Sequence, residues 1–224
     1  GEVYVGLLDK ICSWAKKANY GVRFLDNDTY GTPFEENEEI SLEGVKDYMT
    51  AISSFKPRDY QIDGVYDALK YNRRLIISPT GSGKSLMIYA VARYHVGRKR
   101  RILLVVPTTS LVEQMYKDFT DYGWDVEKYC HKVYAGRNKN TQQRVTISTW
   151  QSIYTMDKTF FSQFDVIIGD EAHQFKSKSL INIMSKMRDT KYRYGFTGTL
   201  SGSQTHKWVL EGLFGPSYKV TQTS

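Results

Sequence analysis

An α/β fold with a mostly parallel central sheet flanked by helices is what this 224-residue sequence predicts, on three observations. Short runs such as residues 102–106 and 166–168 are apolar throughout, as strands covered on both faces must be. Each run is followed by a loop of small or polar residues and then by apolar residues at three- and four-residue spacing, the mark of a helix with one buried face. This strand, loop and helix unit recurs along the chain, and sheets assembled from such units are parallel.

Composition sets the outer limits. Hydrophobic residues make up 41% of the chain, enough for a full core, and no run approaches a membrane span or a signal peptide, so a soluble, cytoplasmic monomer is expected. Cys12 and Cys130 have neither metal-ligand spacing nor disulfide density, which suits a reducing compartment. Charge is distributed unevenly. Residues 26–45 hold seven of the 24 acids and no Lys or Arg, which leaves 31 basic against 17 acidic residues elsewhere. That excess favours a polyanionic partner, nucleic acid first.

At the N-terminus Leu7, Leu8, Ile11, Trp14, Ala15 and Ala18 predict a helix, and the alternation from Tyr20 to Leu25 predicts a strand. A helix and a strand cannot bury both apolar faces alone. Either they pack on the main domain or they are a partial small α/β domain cut from a longer protein. Residues 1–54 are therefore expected to be a domain remnant with an acidic linker, closed by a short helix after Ser41, and residues 55–224 the main domain.

The main domain opens on Phe55-Lys56-Pro57-Arg58-Asp59-Tyr60-Gln61 and a helix carrying Ile62, Val65, Tyr66 and Leu69. The Gln61 carboxamide can donate to and accept from an adenine edge at once. Arg58 can stack on a base and Tyr60 can pack beside one, although Tyr60 fits a core role equally. Leu75, Ile76 and Ile77 form the first apolar strand, and Ser78-Pro79-Thr80-Gly81-Ser82-Gly83-Lys84-Ser85 follows it. Gly81 and Gly83 let the backbone curl its N–H groups around phosphate oxygens, and the helix start adds unpaired N–H groups and positive dipole. Thr80 and Ser82 complete that cradle, Lys84 reaches the phosphates and Ser85 is placed to hold Mg2+. Ser78 stands where the general phosphate-loop pattern has glycine.

After a helix and the basic turn 97–101, residues 102–106 give a second strand, whose loop, Pro107-Thr108-Thr109, lies where open α/β sheets place ligands. The two threonines and the helix start there are candidate contacts for a nucleic-acid backbone, with helix capping as the alternative for Thr108. Residues 129–134 predict another strand, followed by a basic loop with Arg137, Lys139 and Arg144. Residues 145–148 form a further strand, then Thr149 and Trp150 open a helix, with Trp150 able to stack on a base or to be structural. The strand at 166–168 ends in Asp170-Glu171-Ala172-His173. Two carboxylates at the end of a buried strand are costly unless they hold a cation or do chemistry. Asp170 is assigned to Mg2+, Glu171 to the attacking water, and His173 to a link with a neighbouring element. A cradle and a metal-holding acid on neighbouring strands explain each other as a nucleotide site. The last strand, 192–196, runs into Thr197-Gly198-Thr199, a short apolar helix with Trp208 and Leu210 follows, and Gly215-Pro216 is expected to break the chain.

In this order these residues resemble helicase superfamily 2. Tyr60-Gln61 resembles its Q-motif, Pro79 to Ser85 motif I, Val106 to Gln114 motif Ia, Asp170 to His173 the DEAH form of motif II, and Phe196 to Leu200 motif III. The likeness extends to the recombination and repair helicases of T-even bacteriophages, through the Pro-Thr-Thr after the second strand and Thr149-Trp150-Gln151. It implies a RecA-like P-loop NTPase domain that uses ATP and Mg2+ and acts on single-stranded and branched DNA without sequence preference. It further implies a catalytic set of Lys84, Asp170, Glu171 and His173, a coupling role for Thr197, Gly198 and Thr199, and a second RecA-like domain that this sequence does not include. An RNA-directed motor of the same superfamily and a nucleotide-gated binding or annealing module stay open at this point.

Overall fold

In the computed structural model of the protein, the described residues are 3–24, 36–134, 139, 141–200 and 203–221. Among them is a seven-stranded sheet in which every paired strand is parallel. In chain order its strands are β1 (Arg73–Ile77), β2 (Ile102–Val106), β3 (Cys130–Val133), β4 (Val145–Thr149), β5 (Val166–Gly169), β6 (Tyr192–Thr197) and β7 (Ser217–Lys219). Across the sheet the order is β3-β4-β2-β5-β6-β1-β7. The parallel α/β class predicted from the strand, loop and helix repeats, which the resemblance makes RecA-like, is the one observed.

Helices cover both faces. On one side α2 (Leu42–Ile52), α3 (Asp59–Lys70), α4 (Lys84–Gly97) and α5 (Thr109–Asp121) share a core with Ile76, Ile102, Leu104 and Ile168. On the other, α8 (Lys158–Ser162), α9 (Ser177–Ser185) and α10 (Gln204–Phe214) close over Leu75, Leu103, Val105 and Ile167. Successive strand residues thus feed opposite cores, as the two-residue side-chain period requires. Between these helices lie α6 (Val126–Tyr129) and α7 (Trp150–Ile153), each a single turn.

Two expectations are corrected. The chain does not break at Gly215-Pro216: it continues as β7, pairing Leu75 with Ser217 and Ile77 with Lys219. Gly215 permits this turn, with φ at +138° and a site where any Cβ would lie 2.5 Å from the Arg73 carbonyl oxygen. The expected strand from Tyr20 does not form over residues 20–24; the Tyr20 N–H bonds the Ala15 carbonyl at 2.8 Å and its ring stacks on Trp14 at 5.7 Å. Leu25 lies outside the described residues, as do the acids between 26 and 35. The N-terminal helix, α1 (Leu8–Lys17), buries only Ala15 and leaves Trp14 62% exposed. Its preceding turn packs on α10, and Lys10 reaches the buried Glu211 at 2.7 Å, so this segment rests on the main domain. Among the described residues no helix is long and apolar enough to cross a membrane.

The interior carries one histidine whose state is determined by its partners. His95 is 1% exposed; Arg100 Nη1 donates to its Nδ1 at 3.0 Å, so its Nε2–H donates to the Tyr194 hydroxyl, also at 3.0 Å. Burial, with Arg100 and Arg98 close by, holds its pKa well below 6.5. On acidification the unfolded chain takes up this proton first, so stability falls as pH drops below 6.5. Thermal unfolding between pH 7 and 5 should show a pH slope shallower by about one proton in His95→Gln than in the parent; equal slopes would mean that His95 is not the neutral group described.

Candidate functional site

The parallel sheet brings the predicted chemistry to the carboxyl ends of its strands, the edge on which such folds build sites. The glycine loop follows β1, Pro107 to Thr109 follow β2, Thr149 and Trp150 end β4, Asp170 and Glu171 follow β5, and Thr197 to Thr199 end β6. The loop strand and the acid strand are not neighbours, as had been expected, because β6 lies between them. Lys84 spans that gap.

The loop is held from beneath. Ser78, fully buried, donates its N–H to the Thr197 carbonyl at 2.8 Å, and its hydroxyl bonds the buried Ser82 hydroxyl. That contact accounts for a serine at the first position. Gly81 and Gly83 have φ of +79° and +72°, and a Cβ on Gly83 would lie 2.3 Å from Gln61 Nε2. Gln61 Nε2 donates to the carbonyls of Ser82 at 2.8 Å and Gly83 at 3.4 Å, while its Oε1 accepts from the Arg58 N–H at 2.9 Å. Tyr60 is 7% exposed, donates to the Ser82 carbonyl at 3.1 Å and accepts from Arg58 Nη1 at 2.9 Å. Tyr60 and Gln61 therefore brace the loop directly, with Arg58 supporting both from behind, and the carboxamide must release the loop before donating to a base. Thr80 and Gly81 stay exposed above this brace.

Beyond the loop, Lys84 lies between the carboxylates, 3.2 Å from Asp170 Oδ1 and bonded to Glu171 Oε1. Asp170 is 4% exposed. Burial raises its pKa, Lys84 opposes that rise, and the charge of Glu171 adds to it. A carboxylate so placed requires a cation. Asp170 Oδ1 is bonded to Lys84 and to the Glu171 N–H at 2.9 Å; the carboxylate oxygens and the Ser85 hydroxyl are hard donors of the kind Mg2+ takes alongside phosphate oxygens, so the donor types suit that ion. Glu171 sits in the left-handed region at φ +49°. His173 Nδ1 is 2.6 Å from Thr197 Oγ1, which in turn donates to the Thr199 carbonyl at 3.1 Å, so His173 does join the acids to the next strand end. His206, which no sequence signal marked, lies with Nε2 3.2 Å from the His173 carbonyl.

The expected nucleic-acid contacts are only partly brought together. Thr108 and Thr109 are exposed at the start of α5, with Thr108 Oγ1 capping Leu111 N–H at 3.3 Å. Pro107 is buried, and its carbonyl accepts from Gln151. Thr149 is 5% exposed and bonds Ser152, and Trp150 is half-buried beside Tyr154. Lys139 rests on Met156 Sδ at 3.6 Å, and Arg137 lies outside the described residues. Arg144 precedes β4, so it stands at the opposite edge of the sheet, donating to the Lys99 carbonyl at 2.7 Å.

Tyr122 carried no sequence signal that marked it. Its hydroxyl lies 2.6 Å from Ser85 Oγ, and its ring is held by Tyr89 at 5.1 Å and Phe55 at 5.5 Å. It lies 37 residues from Ser85 in sequence and reads as an ordinary helix-end aromatic. When Ser85 donates to Tyr122, its lone pairs remain available to a metal, so the phenol orients the candidate ligand.

Comparison with known proteins follows the geometry. The family described as type III restriction enzyme, res subunit, matches residues 54–202. The chain is 30% identical over 217 residues to the ATP-dependent DNA helicase uvsW of Enterobacteria phage T4, covering 90% of this chain and 43% of that protein. It is also 30% identical over 159 residues to the DNA 3'-5' translocase XPB2 of Sulfurisphaera tokodaii, covering 71% of this chain and 34% of the other. A crystal structure of the UvsW helicase from bacteriophage T4 superposes with a TM-score of 0.83 at 29% identity, over 96% of this chain and 78% of that one. The chain thus spans less than half the length of the curated relatives it matches.

Tyr122→Phe should raise the Mg2+ concentration needed for nucleotide binding about 2- to 10-fold, the worth of one hydrogen bond, and leave binding in EDTA unchanged. A titration of fluorescent nucleotide against Mg2+ checks this, and identical curves would remove Tyr122 from the site.

Proposed function

The chain belongs to the type III restriction enzyme res subunit family, within helicase superfamily 2, and from that premise we propose that it is the ATP-binding motor domain of a DNA helicase or translocase. One observation carries this reading: the loop lysine, Lys84, already touches both Asp170 and Glu171, so cradle and acids converge on one point. In this proposal the Gly81 to Gly83 backbone and the first turn of α4 receive the phosphates, and Lys84 leaves the acids to meet them. Asp170 and Ser85 hold Mg2+, which supplies charge neutralisation at the phosphates. Glu171, released by Lys84, orients the attacking water and takes its proton. His173 and Thr197 to Thr199 carry the change in the acids toward β6.

Residues 55–224 are proposed as this domain, with a second RecA-like domain as its partner for full turnover and branched or single-stranded DNA as the polymer acted on. Recombination and repair are the processes such an enzyme serves. The relation to a phage DNA helicase and an archaeal DNA translocase supports DNA over RNA.

Two variants separate the roles. Lys84→Ala should abolish Mg-ATP binding and, by stripping buried Asp170 of its cation, lower ligand-free stability by about 1–3 kcal/mol. Glu171→Gln should bind Mg-ATP as the parent does yet lose at least about 100-fold in single-turnover hydrolysis. Unchanged nucleotide affinity in the first variant, or parental hydrolysis in the second, would overturn these assignments.

A further inference from the structure

The basic excess of this chain is not where the motor reading wants it. The segments leading into β1, β2, β4, β5 and β6 (residues 71–74, 98–101, 141–144, 163–165 and 186–191) contain ten Lys or Arg against two acids, Asp165 and Asp189. The described residues leaving the same five strands (78–84, 107–109, 149–150, 170–176 and 198–200) hold two cations, Lys84 and Lys176, against two acids, Asp170 and Glu171. Lys84 is already committed to those acids. Parallel strands place the first group on the edge opposite the nucleotide site, and a net excess of eight there exceeds the formal +7 of the whole chain.

These residues are joined, not scattered. Arg144 bonds the Lys99 carbonyl, and the Arg101 N–H bonds Asp165 at 2.8 Å, which takes up one of the two local acids. A groove of about 220 Å³ then runs from Arg100 past Ser162 and Thr190 to Lys186 and Lys191. Arg98 lies 3.8 Å over the Tyr94 ring and Arg100 4.2 Å over Tyr192, so both guanidiniums are held against aromatic faces before any ligand arrives. Arg98, Lys99, Arg188 and Lys191 are exposed. Five adjacent strands span roughly 20 Å, and duplex DNA presents one phosphate charge per ~1.7 Å of axis along such a length.

We infer that this amino-terminal edge of the sheet is a second DNA-binding surface, taking the phosphate backbone of a duplex arm on the side of the domain away from the nucleotide. It rests on the DNA reading given above and adds to it a place where a second arm of a branched substrate is held. Recognition through phosphates alone makes the surface indifferent to sequence. Asp165 and Asp189 line the groove, and Arg74 and Arg98 are paired with Asp67 at 2.7 Å and Glu39 at 3.9 Å, so the binding falls chiefly to the exposed Lys99, Arg188 and Lys191.

The test uses the 224-residue protein with two duplexes of unrelated sequence and one fork, titrated from 50 to 200 mM salt. Lys99→Asn, Arg188→Ser and Lys191→Ser together leave the nucleotide site untouched, and Asn suits the positive φ of Lys99, +62°. The triple variant should bind all three DNAs at least about fivefold more weakly, with the slope of log affinity against log salt reduced by about 0.9 for each phosphate no longer neutralised. In the parent protein, bound duplex should protect Lys99 and Lys191 from acetylation. Parental affinity and slope in the variant, with both lysines equally reactive in bound and free protein, would overturn the surface while the DNA reading stands. Failure of the parent protein to bind any DNA at 50 mM salt would overturn the DNA reading itself, and this surface with it.

Discussion

Every paired strand in the sheet runs the same way, and most of what this molecule does chemically follows from that. Parallel strands sort the chain's connections into two sets, one opening at the carboxyl edge and one at the amino edge. Five strand ends thereby bring residues more than a hundred positions apart in sequence into one site. The same sorting separates charge. Glycines, hydroxyls and carboxylates gather on one edge, and arginines and lysines on the other. A sheet with antiparallel strands would have mixed the two sets.

At the carboxyl edge the controlling quantity is the cost of a buried carboxylate. Asp170 ends an apolar strand at 4% exposure, and without a cation it would be expensive to ionise. Lys84 meets that need in this structure, neutralising the acids while the loop is closed on Gln61, Tyr60 and Ser78. In the proposed nucleotide-bound state phosphate would take the lysine, and Asp170 with Ser85 would hold a metal in its place. Glu171 lies 3.4 Å from His173, and His173 contacts Thr197 on β6, so a short series of polar contacts runs from the acids to that strand end.

The residues that brace the loop show why a motif and a structure inform differently. Gln61 is suited by chemistry to read adenine, yet its carboxamide donates to Ser82 and Gly83 and accepts from the Arg58 N–H. Tyr60 fits a packing role and a binding role equally in sequence; in the fold it is buried with its hydroxyl on the loop. Tyr122 illustrates the converse. Its hydroxyl lies on the proposed metal ligand, but only the packing of α4 against α5 brings them together.

How much could be read in advance depended on the range of the interaction. The sequence by itself determined the strand, loop and helix repeats, the glycine turn at Gly81 to Ser85 and the acids after β5, because each is written in neighbouring residues whose backbone and side-chain chemistry act locally. A link from His173 to a neighbouring element could be expected, but that the element is the Thr197 strand end, 24 residues on, came from the fold. Strand order was not, since β6 enters between β1 and β5 through contacts distant in sequence. Nor was β7, whose pairing with β1 depends on Gly215 passing close to Arg73, nor the absence of a strand after Tyr20, where alternation has no partner to pair with. Charge was legible along the chain but not in space. Where that charge stands, with Arg144 beside Lys99 on the far edge and not beside Thr149, was decided by tertiary structure alone, because the direction of each strand, and not its composition, determines which end of it meets the site.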